Sequence, residues 1–494
     1  MTIRKRYIAI LLVLAIAVGA GGTYGGLKLY QTFQSTSNDG IVSSEEELLS
    51  QLENNQETLE ENFGKMNKVV NAFSTIQENY VEDVGDQQLI EGAIEGMLQS
   101  LDDPYSTYMD AETMEKFNQQ IESSFEGIGA EVSMKDGNVT IVAPIKDSPA
   151  EEAGLKPNDQ ILSVDGESLD GYSLQEAVNE IRGEKGSEVV LEVRRPGVEE
   201  VLEVDITRDS IPLETVYPRT EEVNGKLVGV IELTSFSETT AEDFKNALSD
   251  LEEQGIDGLV IDVRGNPGGV LTAVEEILKQ FVPQDTPYLQ IEYPNGKKQR
   301  QFSNLTDTKD YPIVTLINEG SASASEILAV SLKEAVGAEV VGTTSFGKGT
   351  VQQPLPLGEE STIKLTRFKW LSPEGNWIHE KGVQPTVKQK QPEYYYTNPV
   401  QIEDESLAFD QSDSKIANVQ QMLAGLGYDP GRTDGYFSEQ TRAAVEEFQT
   451  ANDLEVTGAV DQATADSLQT RIMENIQSGE DDQQLERALQ VISE

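Results

Sequence analysis

The fold class is indicated by one stretch of the sequence, residues 312–352, which reads PIVTLINEGSASASEILAVSLKEAVGAEVVGTTSFGKGTVQ. It begins with a short apolar run, continues through small residues into a helical pattern, and returns to a second apolar run. A buried strand, a helix and another buried strand are typical of an α/β arrangement. The stretches KLVGVIELTSF and IDGLVIDVRG, with helical patterns after each, continue the alternation. Residues 208–392 are therefore expected to form an α/β core.

The chain contains no cysteine and one histidine, His379. These counts exclude disulfides, cysteine nucleophiles and metal sites with two or more histidine ligands. His379 itself is interpreted as a structural or surface residue, because the adjacent Glu380 faces the opposite side of a strand. A serine nucleophile activated by a neutral lysine remains possible. Burial can lower a lysine pKa from about 10.4 by up to about 3–5 units, so a buried lysine can be neutral and accept a proton.

Candidates for both groups lie in the deciding stretch. Three serines, Ser321, Ser323 and Ser325, lie between a strand and the beginning of a helix, whose free N–H groups suit a developing oxyanion. Lys348 lies between two glycines, and Gln352 follows four residues later. Each motif alone is more typical of helix capping or of a turn with a solvated lysine, and only the combination points to hydrolysis.

The strings SASASE and FGKGTVQ together resemble those of the carboxyl-terminal processing peptidases, also called tail-specific proteases. The resemblance covers roughly residues 66–390 and implies a crotonase-like α/β protease core. It implies Ser323 as the nucleophile, Lys348 as the base and Gln352 as the residue that orients the lysine. It also implies an oxyanion hole from the N–H of Ala324 and of a glycine in RGNPGG, residues 264–269, where Gly268 and Gly269 both remain open and Gly269 is favoured. No metal or other cofactor is implied.

Residues 123–207 predict a β-rich module that resembles a PDZ domain through FEGIGAEV and DSPAEEAGLKPNDQILSVDG. Its loop Gly127-Ile128-Gly129 is expected to hold a peptide's terminal carboxylate, beside a strand edge that accepts the peptide. Arg182, at the end of the module's helix, is a candidate partner for that carboxylate. Plain turn chemistry for the glycines and a surface cation for Arg182 are the alternatives.

The amino-terminal part predicts a membrane anchor. Residues 1–6 include three basic residues and are expected in the cytoplasm. The uncharged run that follows, residues 7–26, is about 30 Å long as a helix, and the anchor is placed at residues 7–27. A cleaved signal peptide is the alternative. Residues 28–65 are expected to form a linker or stalk, and residues 66–122 an amphipathic helical region. Association of this region into a homodimer is a hypothesis.

After a linker, residues 393–413, residues 414–472 resemble the small three-helix peptidoglycan-binding domain of cell-wall enzymes. The matching strings are VQQMLAGLGYDPGRTDGYFSEQTRAAVEEFQ and LEVTGAVDQATADSL. Residues 473–494 are expected to form a frayed acidic tail, in which LERALQVI has a helical pattern.

The charge balance argues against one class of function, and the motifs with their family resemblances imply another. With 37 basic and 87 acidic residues the net charge is −50, which argues against nucleic-acid binding by the whole chain. The sequence predicts a multidomain α/β (α+β) serine endopeptidase in the cell membrane, with its catalytic part on the cell-wall side. Its expected partners are proteins with exposed C-termini, peptidoglycan and the membrane. A non-catalytic scaffold and a cell-wall hydrolase are the alternatives.

Overall fold

The computed structural model describes residues 64–122, 124–135, 137–145, 148–196, 198, 200–358, 361–402 and 405–494. The chain divides into two compact units, residues 1–97 and 98–494. The predicted membrane anchor, residues 7–27, and nearly all of the predicted linker lie outside the described residues. Within the described ranges, no helix combines the length and the hydropathy that crossing a bilayer requires.

The helices in chain order are α1 (residues 64–79), α2 (Asp86–Gln99), α3 (Ala111–Glu122), α4 (Pro149–Glu152), α5 (Leu174–Ile181), α6 (Thr240–Glu253), α7 (Leu271–Leu278), α8 (Ala324–Ser331), α9 (Ser414–Gly425), α10 (Glu439–Ala451), α11 (Gln462–Ser478) and α12 (Gln483–Ser493). A π-helical turn, Leu332–Val336, continues α8, and a 3-10 turn covers Glu393–Tyr396.

The strands are β1 (Thr107–Met109), β2 (Ser124–Gly127), β3 (Ala130–Lys135), β4 (Asn138–Pro144), β5 (Gln160–Val164), β6 (Glu167–Ser168), β7 (Glu188–Arg194), β8 (Leu202–Thr207), β9 (Asp209–Pro212), β10 (Val216–Val223), β11 (Lys226–Leu233), β12 (Gly258–Asp262), β13 (Pro287–Glu292), β14 (Lys298–Phe302), β15 (Ile313–Ile317), β16 (Glu339–Gly342), β17 (Thr350–Pro356), β18 (Thr362–Leu371) and β19 (Val387–Lys388).

The centre of the second unit is a six-stranded sheet in the order β10-β11-β12-β15-β16-β19. Strand β10 is antiparallel to β11, and the other pairs are parallel. Every residue of β12 and of β15 is buried, because both faces of the sheet are covered. Helices α6, α7 and α8 pack on one face, and α12 packs on the other. The predicted mixed α/β architecture is therefore confirmed.

A second sheet, in the order β1-β18-β13-β14 with β17 also paired to β18, lies beside the first. The loop between β16 and β17 links the two sheets and carries Lys348. The turns after β12 and β15 carry the Arg264–Gly269 motif and Ser323. The carboxyl ends of parallel strands lie at one edge of a sheet, which is where open α/β sheets bind ligands. The topology thus brings the three sequence motifs to one edge.

The β-rich module has its own core and a sheet in the order β3-β4-β5-β7-β8, with β6 paired to β5. Strand β3 is an edge strand of this sheet. Helix α5 has a capping box between Ser173 and Glu176, in which each residue's side chain bonds the other's backbone. The carboxyl end of α5 is held by the buried Arg208, which donates to the carbonyl oxygens of Ile181 and Glu180.

The carboxyl-terminal module consists of α9, α10 and α11 around a core that includes Phe437, Val445 and Leu468. The expectation of a frayed tail over residues 473–494 is wrong. Helix α11 continues to Ser478, and α12 packs Ala488 and Ile492 against the outer face of the central sheet. Those side chains share one face of an amphipathic helix, so burial of apolar surface outweighs the acidic composition.

Candidate active site

Ser323 lies immediately before α8 in a backbone conformation that is rare for a residue with a side chain. Its φ is 55° and its ψ is −111°, and such angles persist only where the surroundings hold them. The buried hydroxyl of Ser321 donates to the carbonyl oxygen of Val263 at 2.7 Å. The buried hydroxyl of Ser325 donates to the carbonyl oxygen of Asn266 at 2.8 Å. The two flanking serines therefore fix the turn that presents Ser323.

Glu326, which is fully buried, joins the serine turn to the lysine loop. Its Oε2 accepts the backbone N–H of Ser323 at 2.9 Å and that of Lys348 at 2.8 Å. Its Oε1 accepts the N–H of Gly347 at 2.6 Å and the hydroxyl of Ser345 at 2.5 Å. The sequence contains one local sign of this role, since a glutamate three residues after Ser323 has the spacing of a capping box, but the bonds to the lysine loop were not foreseen.

Lys348 has the environment that a lysine base requires. Burial lowers the pKa of its ammonium group, and the positive charge of Lys364 lowers it further, whereas the charges of Asp103 and Glu326 oppose the shift. Its Nζ lies 4.9 Å from the centre of the Tyr105 ring. The lowered pKa increases the fraction of neutral amine at a given pH, and only the neutral amine accepts a proton.

Gln352 lies in β17, and its amide nitrogen donates to the hydroxyls of Thr350 at 3.0 Å and Thr366 at 2.9 Å. Across the described residues, no hydrogen bond joins Lys348 Nζ to Gln352 or to the hydroxyl of Ser323. The expected contact between Gln352 and the lysine is absent from this conformation, so the orienting role of Gln352 stays a prediction.

The geometry distinguishes the two glycines that the sequence left open. The N–H of Gly268 donates to Oδ1 of Asn266 at 2.8 Å. A Cβ at Gly268 would lie 2.8 Å from Cβ of Ser323, and its φ is 102°, so this position requires glycine. In the part of the chain that the structure describes, the N–H groups of Gly269 and Ala324 have no hydrogen-bond partner. These two donors are therefore available to a ligand, whereas that of Gly268 is not.

A cleft of about 710 Å³ brings these groups together. Six residues that the sequence singled out line it, namely Ser323, Ala324, Gly268, Gly269, Lys348 and Gln352. The remaining lining is mostly apolar and includes Phe236, Leu271, Ile327, Val351 and Trp370. Apolar walls strengthen electrostatic interactions and disfavour the charged form of a lysine, so the cleft suits chemistry that depends on a neutral amine.

The predicted carboxylate loop lies in the β-rich module, at the end of β2. The carbonyl oxygens of Ile128 and Gly129 accept bonds from Ala150 N–H at 2.7 Å and from the Ser148 hydroxyl at 2.8 Å. The N–H groups of Ile128 and Gly129 have no partner among the described residues. The loop therefore has unpaired donors next to the edge strand β3.

Arg182 lies beside this loop, at the carboxyl end of α5. Its guanidinium is 5.3 Å from the centre of the Phe125 ring, and its Cγ would lie 3.7 Å from a Cβ at Gly127. Arg182 is exposed, so its charge is accessible to a ligand.

His379 lies outside the Ser323 cleft and has a structural contact. Its Nδ1 accepts the N–H of Gly349 at 3.2 Å, and its ring stacks on Trp377 with centres 4.9 Å apart. It thereby supports the loop next to Lys348. Among the described residues, no group of three or more His, Cys, Asp or Glu side chains is arranged to hold a metal ion.

Comparisons with known proteins give independent matches to each module. Residues 227–389 match peptidase family S41, residues 140–195 a PDZ domain, and residues 412–468 a peptidoglycan binding domain. Residues 16–113 match the N-terminal domain of the activating protease CtpB. These matches confirm the resemblances inferred from the sequence.

Three curated relatives are similar over most of their length. Carboxy-terminal processing protease CtpB of Bacillus subtilis is 53% identical over 424 residues, which cover 86% of this chain and 88% of the relative. Carboxy-terminal processing protease CtpA of the same organism is 40% identical over 430 residues, 87% of this chain and 90% of the relative. A probable CtpA-like serine protease of Staphylococcus epidermidis is 34% identical over 411 residues, 83% of this chain and 82% of the relative.

Proposed function

Because the chain belongs to the carboxy-terminal processing serine proteases of peptidase family S41, we propose that it cleaves proteins with Ser323 as nucleophile and Lys348 as base. The observation that carries this proposal is the shared cleft, which is lined by the half-buried Ser323 and by a lysine whose pKa is lowered by burial. Neither residue would be reactive alone, since a serine hydroxyl needs a base and an exposed lysine is charged at neutral pH.

The reaction has two halves. Neutral Lys348 accepts the proton of the Ser323 hydroxyl while the oxygen attacks the peptide carbonyl carbon. The N–H groups of Ala324 and Gly269 hold the resulting oxyanion, and the C–N bond breaks as Lys348 gives its proton to the leaving amine. Water then attacks the acyl-enzyme, Lys348 takes a proton from that water, and Ser323 regains its proton when the acid is released. Gln352 orients the lysine in this cycle.

The PDZ domain supplies substrate recognition in this proposal. The unpaired N–H groups of Ile128 and Gly129, with Arg182 beside them, bind the C-terminal carboxylate of a protein, and the peptide adds to the edge of β3. Substrates are therefore proteins with exposed C-termini, and amidation of the C-terminus is expected to raise KM.

The proposed location is the bacterial cell envelope. The basic residues before the apolar run support an anchor over residues 7–27, with the catalytic part outside the cytoplasm. The peptidoglycan-binding domain holds the enzyme at the wall, where it performs processing or regulated proteolysis.

We also propose a homodimer through the first unit. Large apolar side chains of this unit are exposed, among them Met66, Val69, Val70, Ile76 and Tyr80. A second copy would cover them, as amphipathic helices require. Deletion of residues 66–100 is expected to halve the mass measured by light scattering, and an unchanged mass would count against the dimer.

The test of the mechanism uses casein, a loosely folded protein, and a soluble form of the chain that begins at residue 36. Ser323→Ala and Lys348→Ala are each expected to abolish cleavage. Lys245→Ala, which removes an exposed lysine of α6, is the matched control and is expected to leave cleavage unchanged. Cleavage that survives in Ser323→Ala would refute the nucleophile. If the parent is inactive, C-terminal peptides are added to engage the PDZ domain before the variants are compared.

A further inference from the structure

Arg264, the first residue of the Arg264–Gly269 turn, has its guanidinium held from two sides. Its Nε and one terminal nitrogen donate to the carboxylate of Asp262, at the end of β12, over 2.6–3.1 Å. Its two terminal nitrogens donate to Oδ1 and Oδ2 of Asp482 at 2.8 and 2.7 Å. Because the guanidinium is planar and both pairs are bidentate, distance and angle are fixed together.

Asp482 comes from the far end of the chain, where it precedes α12. Its Oδ1 also accepts the side-chain amide of Gln391 at 2.8 Å. Only 14% of its side chain and 15% of that of Arg264 are exposed. Helix α12 is itself fixed, because Ala488 and Ile492 are buried against the central sheet. The chain therefore leaves the catalytic core, forms the peptidoglycan-binding module, and returns to the core at the turn near Ser323.

We propose that Asp482 is a positioning residue for catalysis, which acts through Arg264 on the turn that carries the Gly269 N–H. The inference rests on the proposed function, in which that N–H holds the oxyanion. An oxyanion donor acts only at about 2.7–3.1 Å from the developing charge. A small shift of the turn therefore reduces the stabilisation of the transition state by the Gly269 N–H. Substrate binding, which uses the rest of the cleft and the PDZ domain, is unaffected.

Removal of the Asp482 charge has a defined structural consequence. In Asp482→Asn the amide oxygen accepts from only one terminal nitrogen of Arg264 and the amide NH2 faces the other, so the bidentate pair is lost. The hydrogen bonds to Asp262 still hold one side of the guanidinium, but no bidentate partner holds the opposite side. The turn keeps its own hydrogen bonds at Gly265 and Gly268, so the restraint that is lost is the one at its first residue, Arg264.

The test compares Asp482→Asn with Asp481→Asn in the same soluble form, with cleavage of a peptide substrate as the assay. Asp481 is the adjacent carboxylate, accepts the hydroxyl of Tyr394 at 3.0 Å and, among the described residues, forms no hydrogen bond with Arg264. For Asp482→Asn we expect kcat to fall by about 10- to 100-fold with KM changed by less than about twofold. For Asp481→Asn we expect the parental kcat and KM.

Two further variants keep the proposal testable if Asp482→Asn folds poorly. Arg264→Lys keeps the charge but loses the bidentate geometry, and we expect the same loss of kcat. Asp482→Glu keeps the carboxylate, and we expect partial recovery of kcat. Tryptophan fluorescence gives the folded fraction, to which each rate is normalised.

The outcomes separate this inference from the proposed function. Parental kcat in Asp482→Asn, or a loss that appears only in KM, would overturn the positioning role. An equal loss in Asp481→Asn would also overturn it, because that variant leaves Arg264 bonded. Ser323→Ala is assayed beside them. Activity that persists in Ser323→Ala would refute the proposed nucleophile. An inactive Ser323→Ala together with a fully active Asp482→Asn would refute the positioning role alone.

Discussion

Replacement of Glu326 by glutamine tests the connection between the serine turn and the lysine loop. The carboxylate accepts four hydrogen bonds, two at each oxygen. An amide keeps one oxygen, so two donors would meet an NH2 group. The least costly orientation places that NH2 near Ser345, whose hydroxyl can accept it, and leaves the N–H of Gly347 unpaired. One buried unpaired N–H costs about 1–3 kcal/mol in the free energy of unfolding.

The same substitution is expected to lower activity. Loss of the charge weakens the bonds that remain to the N–H groups of Ser323 and Lys348, and a misplacement of about 1 Å costs on the order of a hundredfold in rate. The matched control is Glu176→Gln, which changes the other capping-box glutamate. Glu176 is exposed and, within the described ranges, bonds Ser173 alone, so we expect little change in core stability and none in kcat/KM.

Urea unfolding, monitored by tryptophan fluorescence, measures the effect of each substitution on the stability of the protease core. The chain has two tryptophans, Trp370 and Trp377, and both lie in the protease core. Glu326→Gln is expected to lower the urea midpoint and kcat/KM together, whereas Glu176→Gln changes neither. An unchanged midpoint and an unchanged kcat/KM in Glu326→Gln would refute the reasoning.

Three further predictions concern the same cleft. Gly268→Ala is expected to lose most activity, because its Cβ would lie 2.8 Å from that of Ser323. Gly265→Ala, also at positive φ but with open space around it, is the control and is expected to retain most activity. Equal losses in the two variants would contradict this. Lys364→Gln removes a charge that lowers the Lys348 pKa, so the acidic limb of the kcat/KM profile moves to higher pH; a limb that stays in place would count against the coupling. Lys348→Met is expected to raise the urea midpoint at pH 7, because the unfolded chain binds that proton more tightly. The gain should shrink as the pH approaches about 10.4, the unfolded pKa, and a gain independent of pH would contradict the linkage.

The central sheet and the three motifs of the candidate site were predictable from local patterns. Buried runs such as those of β12 and β15 alternate with helical patterns, and this order indicates a parallel sheet whose strands end at a common edge. The motifs around Ser323 and Lys348 follow two of those strands directly. Their arrival in one cleft therefore follows from topology, which the alternation already predicts.

Interactions between residues distant in sequence were not predictable in this way. The carboxylate of Glu326 bonds the loop of Lys348, and no local pattern pairs the two. The partners of Gln352 depend on a bulge in the β17–β18 pairing next to Val351, which shifts the register. The helical pattern of LERALQVI indicated helix α12, but nothing in that pattern showed that Ala488 and Ile492 pack against the central sheet. In each case a tertiary contact outweighed the local signal.

The most direct test of the central claim is identification of the acylated residue. A slowly hydrolysed peptide ester is mixed with the soluble form, the reaction is quenched in acid, and the digested protein is analysed by mass spectrometry. The account predicts one acyl group on the Ser323 peptide, absent in Ser323→Ala and formed far more slowly in Lys348→Ala. Acylation of another residue, or an acylation rate that is unchanged in Lys348→Ala, would contradict the account.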